Sequence, residues 1–245
     1  MSVLVTSRPL DEYCGLFGLT RAELSAVPGP VLDCPGGAAG LVAEARTLGC
    51  RAIAVDPGYA VPPHELATRA RAGQAVMAAA IRADPARHLP RYHRADGYLR
   101  SWDRARRLFA ADAAAHPERY VAAALPHLPF ADGTFALTLS SYLLFAYPDL
   151  FSPRQQLAAL LELVRVTDPA GEVRIHPLHD SAGARCPRLD ELRAELGRRQ
   201  VSSEVRRYGR PTTHRVLVLR AADHRRRGGA GRVSAGRERT DRSVP

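Results

Sequence analysis

Apolar residues change their spacing along this chain, and each change marks an element. Between residues 8 and 26, Leu10, Tyr13, Leu16, Phe17 and Leu24 recur at helical spacings, and Thr20 precedes Arg21-Ala22-Glu23 as a helix N-cap would. Gly29-Pro30 then breaks the chain. Val31-Leu32 and Arg51 to Val55 are short apolar runs without polar alternation, the pattern of strands covered on both faces, and a helix over 41 to 48, ended near Gly49, separates them. About sixty residues follow Asp56 before the next strand, far more than the ~10 that a compact crossover takes. His64 to Ala83 reads as one helix with Leu66, Ala70, Gly73, Val76, Met77, Ala80 and Ile81 on a common face. A second, Tyr98 to Ala115, carries Leu99, Trp102, Ala105, Leu108 and Phe109 as a stripe, with Arg100, Arg104, Arg106 and Arg107 largely outside it. Asp84-Pro85 and Leu89-Pro90 mark their joint.

The second half repeats the alternation. Tyr120 to Leu125 and Phe135 to Ser140 read as strands, Leu157 to Val166 as a helix ended by Asp168-Pro169-Ala170-Gly171, and Val173 to Asp180 as a strand running into a loop. A helix over Leu189 to Gly197 and strands over Ser202 to Tyr208 and His214 to Leu219 complete the chain's regular part. Strands alternating with helices predict an α/β fold with a largely parallel sheet, whose ligands sit beyond the carboxyl ends of its strands.

Val31-Leu32-Asp33-Cys34-Pro35-Gly36-Gly37-Ala38-Ala39-Gly40 carries the most informative chemistry. Small residues in a turn between a strand and a helix let a ligand approach the backbone, and an acid closing the next strand, here Asp56, accepts hydrogen bonds from ribose hydroxyls. That spacing alone fits a dinucleotide or another adenosine ligand. Asp33 bears on the choice, because a carboxylate beside the turn repels a pyrophosphate and suits a ligand carrying an ammonium group.

Val31 to Gly40 together with Asp56 resembles the first two motifs of class I S-adenosylmethionine-dependent methyltransferases. Leu128-Pro129-Phe130-Ala131-Asp132-Gly133-Thr134-Phe135-Ala136-Leu137-Thr138-Leu139-Ser140 resembles that family's loop and fourth strand, and Leu160 to Ile175 its helix, turn and fifth strand. More narrowly, the Asp-Cys-Pro-Gly-Gly-Ala turn and Arg174-Ile175-His176-Pro177-Leu178-His179-Asp180 resemble a bacterial subgroup of unknown substrate. The resemblance implies a Rossmann-like sheet with helices on both faces, closed by an antiparallel hairpin. It implies an N-terminal helical cap over residues 1–28, a methyltransferase domain over 29–223 with a helical insertion at about 57–118, and a tail over 224–245.

It also implies residue roles. Gly36, Gly37 and Ala38 would approach the methionine part and ribose of S-adenosylmethionine, with Pro35 stiffening the turn; Asp33 would meet the amino group through water or backbone, and Asp56 the ribose hydroxyls. The usual turn has glycine where this chain has Pro35 and Ala39, and the acids common in the family fall at Ala124 and Ala136. Adenine would then rest on backbone near Leu125 and on apolar side chains. Ser140, Ser141, Tyr142, Tyr147 and Asp149 fall where members meet the methyl acceptor, and His176 is a candidate general base. The functional expectation is methyl transfer to a small-molecule acceptor. Its alternatives are a non-catalytic S-adenosylmethionine-binding protein and a nucleic-acid-associated methyltransferase recruited by its tail.

Composition bounds these readings. The chain of 245 residues, 46% apolar, can bury a full core. No apolar run reaches the length of a membrane span and no charged-then-apolar leader opens the chain, so a cytoplasmic protein without membrane contact is expected. Lysine is absent, so all 35 basic residues are Arg, and a Walker A loop is excluded. Seven of those arginines fall in residues 224–245 against Glu238 and Asp241, a composition that favours disorder or loose contact with polyanions. Cys14, Cys34, Cys50 and Cys186 lack C-x-x-C spacing and read as reduced, mostly buried residues. His176, His179 and Asp180 lack further ligands at metal spacing, so no metal is expected. Tyr92, His93, Tyr98 and the nearby arginines are candidates for the mouth of a site taking an anionic or aromatic acceptor.

Overall fold

The computed structural model describes residues 3–85, 94–180, 182–209 and 214–221. Its frame is a seven-stranded sheet built from β1 (Val31–Asp33), β2 (Ala52–Val55), β3 (Tyr120–Val121), β4 (Phe135–Ser141), β5 (Thr167–His176), β6 (Val201–Tyr208) and β7 (His214–Ala221), in the order β3-β2-β1-β4-β5-β7-β6. The first five strands run parallel, and β7 pairs antiparallel with both β5 and β6. This is the Rossmann-like α/β sheet that the resemblance implies, closing antiparallel hairpin included. The strand order reverses between β1 and β4, and the crevice of such a sheet opens there.

Helices cover both faces. On one lie α6 (Pro153–Val166) and α7 (Leu189–Arg198), burying Leu160, Leu163 and Leu196 against Leu32, Phe135 and Leu217. On the other lie α1 (Leu10–Phe17) and α3 (Leu41–Thr47), burying Phe17, Leu41 and Val42 against Val31, Leu139 and Val218. Side chains alternate across a strand, so consecutive residues of β1 serve opposite cores. The short α2 (Arg21–Ser25) starts on a capping box, in which Thr20 Oγ1 accepts from the Glu23 N–H and the Glu23 carboxylate accepts from the Thr20 N–H.

Between β2 and β3 stand α4 (Pro63–Ala83) and α5 (Ala95–Ala115), the helical insertion. Leu66, Ala70, Phe109 and Ala113 seat it on Ala38 at the start of α3, while Ile81, Tyr98 and Trp102 form a second cluster. Several elements depart from the sequence pattern. Val76 is 57% exposed although it recurs with the α4 stripe, because at 3.6 residues per turn its position falls at the stripe's edge. Arg106, expected outside the stripe, is buried and held by Gln74 and Asp103. β3 ends at Val121 rather than Leu125, since past it only an isolated bridge between Ala124 and His127 pairs the backbone. Residues 168–171 are a bulge within β5 rather than a turn before it: pairing with β4 jumps from Thr167 to Glu172, with the Ala170 N–H donating to Asp168 Oδ1 at 2.7 Å. Residues 86–93, including Tyr92 and His93, and the tail lie outside the described residues.

Candidate functional site

A cavity of about 490 Å³ opens where the carboxyl ends of the parallel strands meet the N-terminal segment and the insertion. Four successive strand ends contribute to it: Cys34, Pro35 and Gly37 after β1, Asp56 and Pro57 after β2, Ala123 to Leu125 after β3, and Ser141 to Leu143 after β4.

The turn after β1 is closed on itself. Gly36 donates its N–H to Val55 O at 2.9 Å, Gly37 to Asp56 Oδ2 at 3.0 Å, Ala38 to Thr6 O at 3.0 Å, Ala39 to Gly36 O at 3.2 Å and Gly40 to Arg8 O at 2.9 Å. No N–H from Gly36 to Gly40 is left for a ligand, and Leu41, Val42 and Ala43, which open α3, are buried and absent from the cavity wall, so the start of the helix offers the cavity no anion site. The two central glycines have different reasons to be glycine. At Gly36 a Cβ would stand 2.3 Å from Tyr59 Oη and 2.7 Å from Ala54 Cβ, a packing requirement; Gly37 has φ +53° and faces the cavity. Asp56 clamps the turn from the other side, taking the Gly37 N–H on one oxygen and the Gly58 N–H, at 2.7 Å, on the other. Burial raises its pKa, and those two N–H groups oppose the rise.

Of the residues expected to hold a cofactor, Pro35, Gly37, Asp56 and Leu125 line this cavity. Asp33, Gly36, Ala38 and Ser140 lie behind its wall. Asp33 is buried on the α1 face, where Oδ2 accepts from Tyr13 Oη at 3.0 Å and Oδ1 has no partner among the described residues; burial holds its pKa well above the usual carboxylate value. Ala38 is sealed beneath Thr6, and Ser140 is buried in β4 with its hydroxyl unpartnered among the described residues. Cys34, beside the turn, lines the cavity with a thiol whose pKa burial raises, and nothing in its sequence context marked it. Ala124 lines the cavity, whereas Ala136 sits at the opposite end of β4 against Gly29 and Gly171. An acid missing at Ala136 therefore takes nothing from the cavity.

The other half of the cavity is assembled from distant segments. The N-terminal residues run across the turn, and Gly73 lets α4 approach them so closely that a Cβ there would lie 2.2 Å from Val5 O. Arg8 is 4% exposed, its Nε donating to Glu12 Oε1 at 2.8 Å and its Nη1 to Thr6 Oγ1 at 2.6 Å. Its guanidinium lies 3.8 Å from the Tyr142 ring centroid and 5.2 Å from that of Trp102, a cation between two aromatic faces. Glu12 also accepts from Tyr98 Oη at 3.1 Å and Trp102 Nε1 at 2.9 Å, tying the cap to the insertion. Tyr142 has φ +51°, uncommon for a residue with a side chain, and its N–H donates to His176 O at 2.7 Å.

Tyr142 and Tyr147 line the cavity, and Tyr147 Oη accepts the Leu4 N–H at 3.1 Å. Asp149 is not among the lining residues. His176 is 4% exposed and also stands behind the wall, its Nδ1 on Arg215 O at 3.1 Å; burial lowers its pKa to about 3, so it stays neutral. Pro177, His179 and Asp180, three residues further on, reach the cavity. Tyr98 lines it too, but Arg100, Arg104 and Arg107 are exposed on α5 and absent from its walls. Among the described residues no His, Cys, Asp and Glu cluster could hold a metal, the cysteines form no disulfide, and no helix is long and apolar enough to cross a membrane.

No family model matches the chain. The uncharacterized protein MJ0045 of Methanocaldococcus jannaschii is 23% identical over 221 residues, covering 89% of this chain and 96% of its own length. Among solved structures, the chain is similar to the Burkholderia thailandensis 1,6-didemethyltoxoflavin-N1-methyltransferase with bound 1,6-didemethyltoxoflavin and S-adenosylhomocysteine, with TM-score 0.46, 19% identity, and coverage of 83% of this chain and 76% of that one. A putative S-adenosyl-L-methionine-dependent methyltransferase from Methanococcus maripaludis aligns with TM-score 0.41 and 13% identity over 88% and 84% of the two chains. A TehB-like SAM-dependent methyltransferase from Corynebacterium glutamicum gives 0.43 and 13% over 86% and 93%.

Proposed function

We propose that this chain binds S-adenosylmethionine in the cavity at the strand ends and transfers its methyl group to a small-molecule acceptor. The observation that carries this reading is the closed turn. A pyrophosphate needs free N–H donors in the turn or at the start of α3; here those from Gly36 to Gly40 are taken and Leu41 to Ala43 are buried away from the cavity, while the acid Asp56 stands at the wall. Such a site is unsuited to a dinucleotide and suits a ligand that is cationic and phosphate-free.

Gly37 gives the ligand access to the backbone, Asp56 accepts ribose hydroxyls with the lone pairs its N–H partners leave, and Val55, Pro57 and Ala123 to Leu125 supply the apolar slot for adenine. The sulfonium is intrinsically reactive toward nucleophiles. The chain's own contribution is then to bind, to exclude water and to align the acceptor, which Tyr142 and Tyr147 do from the other half of the cavity. A cavity of this volume falls in the range of small-ligand sites, which favours a small acceptor over a macromolecule. Equilibrium dialysis with labelled S-adenosylmethionine tests the reading: saturable binding at one site per chain is expected, and no binding at millimolar ligand refutes it. Binding without transfer to any acceptor pool would instead favour a non-catalytic binding protein.

A further inference from the structure

Among its described residues, the acceptor half of the cavity carries one cation, one imidazole, one carboxylate at Asp180 and the hydroxyls of Thr6, Ser141, Tyr142 and Tyr147, set in an otherwise apolar wall. The cation is Arg8, buried with its charge already answered: Nε donates to Glu12, Nη1 to Thr6, and the guanidinium plane lies on Tyr142. An anion would meet it only as one half of an existing ion pair. Around it Leu4, Val5, Met77, Tyr98, Ala146 and Phe151 offer aliphatic and aromatic surface. An anionic acceptor would lose its hydration there while facing an already paired cation and the Asp180 carboxylate.

The imidazole is His179. Its Nδ1 lies 2.9 Å from the carbonyl oxygen of Asp180, and a carbonyl only accepts, so the ring proton of neutral His179 sits on Nδ1 and Nε2 keeps its lone pair. His176 has the same tautomer for the same reason, through Arg215 O, but it is buried behind the wall. The other groups on the acceptor side are differently placed: Tyr142 and Tyr147 are phenols, which already carry a proton, and Asp180 Oδ1 takes the Ala184 N–H at 2.8 Å.

We infer, on the premise of the methyltransferase reading, that His179 is the general base of the reaction and that its acceptor is an uncharged, flat, apolar small molecule presenting an O–H or N–H nucleophile. The acceptor's oxygen or nitrogen bonds to the methyl carbon as the S–CH3 bond breaks, and that bond's electron pair stays on sulfur, leaving S-adenosylhomocysteine. The acceptor's proton passes to Nε2 of His179, which becomes imidazolium and later returns the proton to water. Several groups face that imidazole: His176 at 6.3 Å between ring centroids, Asp180 beside it, His214 from β7 against His176, Arg185 through the bridge pairing, and the Arg8–Glu12 pair with Tyr142 across the cavity. The ion pair cancels its own charge, so the imidazolium meets little net repulsion from that side.

Two naphthalenes of the same frame test the acceptor class, 2-naphthol as the neutral probe and 2-naphthoate as the anionic one. Calorimetry with S-adenosylhomocysteine alone comes first, because failure of that binding sinks the methyltransferase reading itself. In the S-adenosylhomocysteine complex 2-naphthol is expected to bind at least tenfold more tightly than 2-naphthoate. Equal or tighter binding of 2-naphthoate, or no binding of 2-naphthol, overturns the acceptor class while leaving the cofactor reading standing. With labelled S-adenosylmethionine, H179A should transfer methyl to 2-naphthol about 100-fold more slowly than wild type. Its cofactor Kd and Tm should not change, its pH profile should lose the acidic limb, and added imidazole should restore part of the rate. Transfer by H179A at the wild-type rate, or a loss that imidazole does not rescue and that comes with a weaker cofactor Kd, overturns the base assignment.

Discussion

The two halves of the cavity are built in opposite ways. On the β1–β3 side, wall residues come from loops that directly follow strands, so their positions are set by the sheet's register and by hydrogen bonds within a few residues of a strand end. On the acceptor side the wall joins the N-terminal segment, α4 and α5, the loop after β4 and the loop after β5, and it is tied by contacts such as Trp102 to Glu12, 90 residues apart, and Leu4 to Tyr147, 143 apart. A site made by one sheet edge can be conserved in geometry by the fold alone. A site made by four converging segments depends on a few cross-links, above all Arg8, and can change its specificity through any one of them.

Substitutions on either side break or sharpen this contrast. The largest effect is expected at Gly37. A valine there must adopt φ +53° and place its Cβ 3.1 Å from Thr6 O, disturbing both the ligand wall and the segment above it, so G37V should lose cofactor binding by 100-fold or more. Calorimetry measures it, and near-normal affinity would remove the turn from the site. Arg8→Ala attacks the other half. It leaves Glu12 without its cation and parts Tyr142 from Trp102, and breaking a buried pair costs about 3 kcal/mol, so the thermal or urea midpoint should fall clearly. If the halves are independent, the remaining folded protein keeps most of its cofactor affinity; a parallel loss of both would show them to be one unit.

Asp56→Asn should have a smaller, local effect. The amide keeps one acceptor but sets its NH2 against a backbone N–H of Gly37 or Gly58, so cofactor affinity should fall about tenfold, consistent with loss of a charge-assisted bond. An unchanged Kd with a lowered Tm would confine Asp56 to clamping the turn. The smallest effect is read in the pH dependence of stability. His176 has its pKa lowered to about 3 in the fold, so between about 3 and its unfolded value near 6.5 the unfolded chain binds the extra proton, and stability falls as the pH drops through that window. Asp33, raised by burial, contributes in the opposite sense, because the folded carboxyl keeps a proton that the unfolded one has lost. The difference between wild type and H176N isolates the imidazole, with a slope of up to about 1.4 kcal/mol per pH unit from denaturation midpoints. No difference in slope would mean that His176 is solvated.

The same contrast governs how much of the molecule could be read from the sequence. The strands, α3 and the capping-box start of α2 follow from local pattern, and so does the turn with Gly37 and Asp56, because period, breakers and caps act over a handful of residues. The face each residue takes was harder. Asp33 and Gly36 belong to the motif yet serve the layer behind it, one bonded to Tyr13 of α1 and the other filled by Tyr59, partners that no local pattern connects. His176 and His179 look equivalent along the chain, and only the end of β5 at His176 turns the first inward and lets the second reach the cavity. Arg8 and Glu12 gave no signal beyond an i,i+4 pair at the start of a helix, since their role depends on an insertion that folds back from 90 residues away.

On the proposed reading, the turn after β1 is closed to phosphate and open to an adenosyl sulfonium. Calorimetry on the full chain tests that claim most directly, with S-adenosylmethionine, S-adenosylhomocysteine and a nicotinamide dinucleotide titrated separately at physiological salt. One-site binding of the two adenosyl ligands, the sulfonium and its thioether product, with no heat from the dinucleotide, is the predicted result; dinucleotide binding with neither of the others would contradict it.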